Sequence, residues 1–260
     1  MPDVAVGACT EVGHVRTLNE DAFLNGERVW VVADGMGGHA AGDVASRLAV
    51  ESLRELDDVD ELKPARVNAA VARANAAVVG HGSHHPEARG MGTTVTGLAE
   101  VIVGGVPHWA VFNVGDSRVY RYAGGELQRA TVDHSEVEEL LAEGLIDAEQ
   151  ARTHPARHII TRSVGMRPAP SVDLWVLPQT PGERFLLCSD GLTSELDDDE
   201  IAAVLAAHPN PAHAAAALVE AVLATEARDN VTVLVVDVRG AGDDAGDEIT
   251  VPRNVLEGER

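Results

Sequence analysis

Positive charge is scarce in this chain. Lys63 is its only lysine, and 20 lysines and arginines stand against 42 aspartates and glutamates, a formal net charge of −22. That balance excludes sequence-independent binding of nucleic acid, which needs many cations on one face. It argues equally against docking on an anionic membrane. Phosphate transfer from ATP by a Walker A loop or a protein kinase is excluded as well, because both hold the nucleotide phosphates with a lysine. Lys63 lies in "DDVDELKPAR", with no glycine-rich loop before it. Cysteine is nearly absent: Cys9 and Cys188 stand far apart, without the spacing of a metal site. Reduced thiols and a cytoplasmic location are the simplest expectation. Both cysteines sit in apolar, strand-like runs and read as small buried hydrophobes. No apolar run approaches the length that crosses a bilayer. The N-terminus, "MPDVAVGACT", lacks the basic stretch and apolar core of a secretion signal.

What is present suffices for one sizeable core: 260 residues, 45% of them hydrophobic. "VAVGACTEVG" and "ERVWVVAD" read as strands. "AAGDVASRLAVESLREL" and "PARVNAAVARANAAVVG" carry apolar residues at helical spacing, the second opening on Pro64. "TTVTGLAEVIVGG", "PHWAVFNVGD" and "SRVYRYAGGELQRA" read as consecutive hairpins with Gly-rich turns. Residues 135–168 are mixed, with short helices near "SEVEELLAEG" and "DAEQARTH". "VDLWVLP" and "RFLLCSD" return to strand. Asp197 and Glu200 have capping-box spacing and start a helix. "PAHAAAALVEAVLATEA" is another helix, and "NVTVLVVDVRG" closes as a strand. Helices and strands do not alternate as in a doubly wound parallel fold. The order predicts an α+β protein in which mainly antiparallel sheets carry helices on their outer faces. The expected domain is 1–240; residues 241–260 are polar, aperiodic and expected to be disordered.

One stretch raises the question of function: "RVWVVADGMGGHAAGDVASRLAV", residues 28–50. Residues 35–40 match G-x-G-x-x-A, the loose form of the dinucleotide-binding fingerprint. That fingerprint needs a second strand within roughly thirty residues. Here a helix, the polar "DDVDELK" and another helix follow, so the βαβ unit is missing. The stretch alone still leaves a plain structural turn open. Other segments bear on it. Apolar strands deliver Asp34-Gly35 and Asp190-Gly191, and "WAVFNVGDSR" delivers Asp116. Asp229 stands just before the closing strand, and Glu20 and Asp21 lie in "RTLNEDAF". A carboxylate at the end of a buried strand is costly unless it is paired or metal-bound, and cations are too few for all of these. Oxygen ligands without a Cys/His cluster select hard ions: magnesium, manganese or calcium. One strand-end Asp-Gly is a turn signal. Several together point to a metal cluster.

The blocks "VRTLNEDAF", "VVADGMGGHAAG", "MGTTVT", "NVGDSRVYR", "DHS", "LLCSDGLTSEL" and "RDNVTVLVV" resemble, in order and spacing, the metal-dependent serine/threonine protein phosphatases of the 2C type in their compact bacterial form. The resemblance covers about residues 4–238. It implies a four-layer α-β-β-α sandwich with a metal centre between the sheets, and two tightly bound Mn2+ or Mg2+ ions with a third, weaker one. By resemblance, Asp34 bridges two metals and Gly35 lends its carbonyl oxygen. Asp190 and Asp229 complete the first metal, Glu20 holds the second through water, and Asp116 with Asp190 forms the third site. Arg16 matches the arginine that grips substrate phosphate, His39 the candidate general acid. Residues 135–168 correspond to the flap, where Arg152, Arg157 and Arg162 are suited to receive phosphoprotein. The implied reaction is hydrolysis of phosphoserine and phosphothreonine by a water or hydroxide bridging two metals. The implied partners are phosphorylated proteins, including serine/threonine kinases, met by a monomer. Ser189 has no G-x-S-x-G elbow and is a poor nucleophile. His81, His84 and His85 read as an exposed loop. Two rivals are a phosphoprotein-binding pseudo-enzyme, which the intact Asp34, Asp190 and Asp229 disfavour, and a metal-dependent nuclease, which the acidic balance opposes.

Overall fold

The computed structural model describes residues 3–37 and 41–239. In chain order its elements are β1 (Asp3–Glu11), β2 (Ala22–Asn25), β3 (Val29–Ala33), β4 (Gly35–Met36), α1 (Gly42–Arg54), α2 (Pro64–His84), β5 (Gly92–Thr93), β6 (Val95–Val103), β7 (Val106–Val114), β8 (Arg118–Ala123) and β9 (Glu126–Arg129). Then follow α3 (Glu136–Ala142), α4 (Ala148–Thr153), β10 (Asp173–Pro178), β11 (Arg184–Cys188), α5 (Asp190–Thr193), α6 (Asp198–Ala207), α7 (Pro211–Leu223) and β12 (Val231–Arg239). Two five-stranded sheets result, in the orders β1-β12-β11-β8-β9 and β10-β7-β6-β3-β2, and β4 and β5 pair as a small separate ribbon. The pairings are antiparallel, as the sequence predicts.

The central strands are apolar on both faces because each face meets a different layer. In β3, Val29, Val31 and Ala33 pack with α1 and α2, while Trp30 and Val32 face the other sheet. In β11, Leu186 and Cys188 pack with α6 and α7, while Phe185 and Leu187 turn inward. A strand's side chains alternate between faces, so a continuous apolar run is the signature of a strand sandwiched on both sides. Four layers follow: α1 and α2, one sheet, the other sheet, then α6 and α7. The inter-sheet layer centres on aromatic edges, with Trp30 to Trp109 at 6.0 Å and Trp109 to Phe185 at 5.9 Å between ring centroids.

Helix α6 begins as the sequence predicts: the Asp197 carboxylate accepts from Glu200 N while the Glu200 carboxylate accepts from Asp197 N, both at 2.9 Å. Helix α2 is longer than its pattern suggests and carries His81 and His84 within it; His85 is its C-cap. The histidines therefore stand on a helix end and not in a loop. The short helices α3 and α4 both fall in the mixed segment 135–168. Among the described residues, no helix is long and apolar enough to cross a membrane. The predicted disordered tail lies outside the described residues.

Candidate metal centre

Several chain segments terminate at one rim of the sandwich. Asp34 directly follows β3, Ser189-Asp190 follow β11 and Gly115-Asp116 follow β7, while β12 begins after Asp229-Asn230 and β2 after Glu20-Asp21. Antiparallel register explains the convergence, because it sets strand starts beside strand ends. Ala22 lies opposite Ala33, Val95 opposite Val114 and Val233 opposite Cys188. The carboxylates thus come from both sheets: Glu20, Asp21 and Asp34 from one, Asp190 and Asp229 from the other, and Asp116 from the crossing of β7 to β8.

Burial and mutual repulsion act on these groups together. Burial holds the Asp34 carboxyl well above its ordinary range, and Asp21, Asp190, Asp116 and Asp229 push it further. Asp190 is raised by burial and by Asp229, with some relief from a hydrogen bond to Asp34. Burial, then Asp190 and Asp133, push Asp116 up to about 8. Asp21 is pushed up to about 7 by burial, then by Asp190 and Asp229, against hydrogen bonds from Thr232 and Ser189. Glu20 is raised by burial, although the Gly42 N–H at the start of α1 favours its charged form. Like charges this close and this dry are stable as anions only with cations among them.

The protein's own cations do not meet that need. Arg16 Nη2 donates to Asp229 Oδ2 at 2.7 Å, and its side chain is 49% exposed. Arg118 is turned away, with Nε and Nη2 donating to Asp133 at 2.7–3.1 Å. Among the described residues, nothing donates a hydrogen bond to the buried oxygens Asp21 Oδ1, Asp43 Oδ1 and Asp116 Oδ1. An all-oxygen donor set with free lone pairs fits hard divalent cations. Among the described residues, no three His, Cys, Asp or Glu side chains already form a finished ligand cage. A magnesium-like ion keeps several waters and needs only one or two carboxylates directly, so an open cluster is compatible with it.

Backbone contacts fix the aspartates tightly. Asp34 N donates to Thr94 Oγ1 at 2.8 Å, and Asp34 O accepts from Thr94 N at 2.9 Å and Thr93 Oγ1 at 2.8 Å. A Cβ on Gly35 would stand 2.2 Å from Gly42 O and 2.5 Å from Glu20 O, so only glycine lets the turn fold against α1 and the Glu20 loop. A Cβ on Gly191 would stand 1.9 Å from Asn230 O, so the second Asp-Gly likewise permits contact between Asp190 and Asp229 segments. His39, expected as the acid, lies outside the described residues.

Some contributors escape sequence reasoning. Asp21 is counted there among the carboxylates but given no role; it lies within the cluster, held by Ser189 Oγ at 2.8 Å. Ser189 in turn accepts from Thr232 N at 2.9 Å, which gives this serine a supporting position behind the carboxylates. Asn230 clamps the Arg16 loop: Nδ2 donates to Val12 O and Leu18 O, each at 3.0 Å, and Oδ1 accepts from Glu20 N at 2.8 Å. His158, from the mixed segment, lies near enough for its charge to favour ionised Asp190. No spacing rule marks these residues. The "NED" tripeptide and the "DN" dipeptide are the only local signals of Asp21 and Asn230.

The family model for protein phosphatase 2C matches residues 11–229. The chain belongs to the protein phosphatase 2C family. One relative in that family is the serine/threonine protein phosphatase PstP of Mycobacterium tuberculosis, 39% identical over 234 residues. The match covers 89% of this chain and 44% of PstP, so the chain spans less than half the length of that relative. The serine/threonine phosphatase stp of Listeria monocytogenes is 34% identical over 242 residues, covering 88% of this chain and 93% of the relative. Among solved protein phosphatase 2C structures, the catalytic domain of PstP in complex with two manganese ions superposes with a TM-score of 0.80. It is 37% identical and is covered to 99% by 91% of this chain. The family fold is the layered sandwich described above.

Proposed function

We propose that this chain is a metal-dependent protein phosphatase that hydrolyses phosphoserine and phosphothreonine in proteins. The convergence of Asp34, Asp190, Asp229, Asp116 and Glu20 from both sheets, with Arg16 beside them, carries the reading. The residues suited to hold two tight Mn2+ or Mg2+ ions are Asp34, the Gly35 carbonyl, Asp190, Asp229 and Glu20; Asp116 and Asp190 suit a weaker third. When bound, such ions neutralise the phosphate dianion and acidify the water that attacks it.

The chain's own residues supply the rest. Arg16 has one Nη2–H engaged with Asp229. Its remaining fork can take two phosphate oxygens, a geometry that lysine does not offer. Asn230 sets the height of the loop that carries it. Ser189 orients Asp21 by donating its hydroxyl to the Asp21 carboxylate at 2.8 Å. His39 is assigned, from the resemblance alone, to protonate the departing serine or threonine oxygen. The domain is taken as 1–240 with a flap at 135–168, acting as a cytoplasmic monomer on phosphoproteins that include serine/threonine kinases.

The decisive experiment is release of phosphate from a phosphothreonine peptide. It is expected with Mn2+ present and absent after chelation. Phosphate release that persists at full rate without divalent ion, or none under any metal, would refute the reading. Turnover of a DNA substrate in its place would make the protein a nuclease.

A further inference from the structure

The turn that carries Asp116 is held from two directions. On the inner side, Ser117 Oγ lies 2.8 Å from Thr94 Oγ1, and Thr94 also fixes the Asp34 backbone. Gly115 has φ +118, and a Cβ there would stand 2.5 Å from the Thr94 side chain. On the outer side stands His134, with a side chain only 1% exposed. Gly115 N donates to His134 Nδ1 at 3.0 Å, and His134 N donates to Gly115 O at 2.9 Å. Because Gly115 N is a donor, Nδ1 must be the bare nitrogen. The ring proton therefore sits on Nε2, which faces Asp173 Oδ2 at 3.1 Å.

The contacts continue outward. Asp173 Oδ1 accepts from Arg162 Nη1 at 2.9 Å. Thr161 N donates to His134 O at 2.8 Å, and Ser135 bridges to Ile160. Thr161 and Arg162 lie on the returning limb of the segment 135–168, beside its start at Ser135. An imidazole that accepts on one nitrogen and donates on the other has no rotatable bond between them. A displacement of Asp173 or of the segment's base is therefore passed to Gly115, one residue from the Asp116 carboxylate.

We propose that His134 is a positioning residue that holds Asp116 for the weak third cation and ties that site to the base of segment 135–168. The proposal rests on the reading of Asp116 as a ligand of a third ion. A partner behind a metal ligand commonly changes affinity by roughly 10- to 100-fold when removed. A side chain with a purely structural role would instead lower the melting temperature, or weaken every ion alike.

Mn2+ is titrated by calorimetry into the metal-free full chain, with melting temperature followed on the same samples. The wild type is expected to take up two ions tightly and one weakly. In His134→Ala the two tight ions stay and the third weakens about tenfold. Asp173→Asn, which keeps the side-chain volume, weakens the third ion in the same direction. Arg162→Met does so alone, and adds nothing when combined with His134→Ala. Unchanged third-ion affinity in folded His134→Ala overturns the proposal. If that variant does not fold, unchanged affinity in Asp173→Asn overturns it. Additive effects of Arg162→Met and His134→Ala break the link to the segment. A wild type that binds two ions but no third removes the third-ion reading and this proposal with it; a wild type that binds none removes the functional reading as well.

Discussion

Stripping the metals should turn the carboxylate cluster into a pH-dependent liability. Asp21 and Asp116 are pushed up to about 7 and about 8 in the fold, against 3.8 when unperturbed. A carboxyl with a raised folded pKa binds more protons folded than unfolded. Its favourable contribution is complete below the unfolded pKa and is lost as pH rises through the folded one. Between pH 5 and 7 both groups hold a proton that the unfolded chain has released. Asp34 and Asp190 are shifted the same way. His134 opposes them: burial lowers its pKa, so below its ordinary value the unfolded chain holds the extra proton. Counting Asp21 and Asp116 alone, and setting one whole proton against them for His134, leaves a net of at least one. At about 1.4 kcal/mol per pH unit, two pH units cost about 3 kcal/mol. For a domain of this size that is ~6–12 °C in melting temperature. Calorimetric melting of chelated protein at pH 5, 6 and 7 should show this fall. Saturating Mn2+ should abolish or reverse it, because cations compete with protons for the same oxygens. A metal-free melting temperature that is flat or rises with pH would show that the carboxylates are not packed as described. Asp116→Asn should flatten the slope without metal.

Asp34→Ala or Asp190→Ala should abolish hydrolysis and yet raise metal-free stability at pH 7, since each deletes a carboxyl whose ionisation is opposed by burial and by its neighbours; near-normal turnover with Mn2+ would undo the site assignment. Arg16→Ala should raise KM for a phosphopeptide more than it lowers kcat, because a phosphate clamp acts in ground and transition states alike. Steady-state kinetics decides, and a large kcat loss at unchanged KM would make it a transition-state group. Phe185→Ala should cost ~3–5 kcal/mol in denaturant melts, since its ring fills the inter-sheet layer against Trp109. Asp197→Ala should cost about 1 kcal/mol through the lost cap on α6, with activity unchanged.

Much of the layering can be read from the chain. Runs such as "VWVVA" and "RFLLC" are apolar at every position, and their flanking helices carry a single apolar face, so strands covered on both sides follow from residue pattern. The capping box at Asp197 is equally local. What escapes is what depends on partners distant in sequence. Strand β2, "AFLN", is four residues long and exists because it pairs with β3. Helix α2 passes Gly80 and Gly82, which read as breakers. A Cβ on Gly82 would stand 3.1 Å from Ala88 O, so that glycine serves a close approach and not a turn. The strand-end aspartates are visible one by one, but their meeting depends on antiparallel register across two sheets. Their number and the shortage of cations point to a metal cluster, while which of them share an ion is implied by the resemblance alone. Thr94, Ser117 and Asn230 are polar residues in or beside apolar strands, and nothing local distinguishes a support of the site from an ordinary core hydroxyl or amide.

Because the carboxylates arise from opposite sheets, the rim works as a caliper on the sandwich. The spacing of the two jaws is set by the aromatic layer of Trp30, Trp109 and Phe185, well inside the molecule. A conservative change there, such as Phe185→Leu, alters the gap that Asp34 and Asp190 must span, so ion affinity registers it even where stability hardly moves. The converse also holds. An ion seated across the jaws clamps the sheets together, and chelation should quicken amide exchange along the whole of β3 and β11, not only beside Asp34 and Asp190. Tolerance to core mutation in this protein is therefore a function of the divalent-ion concentration around it.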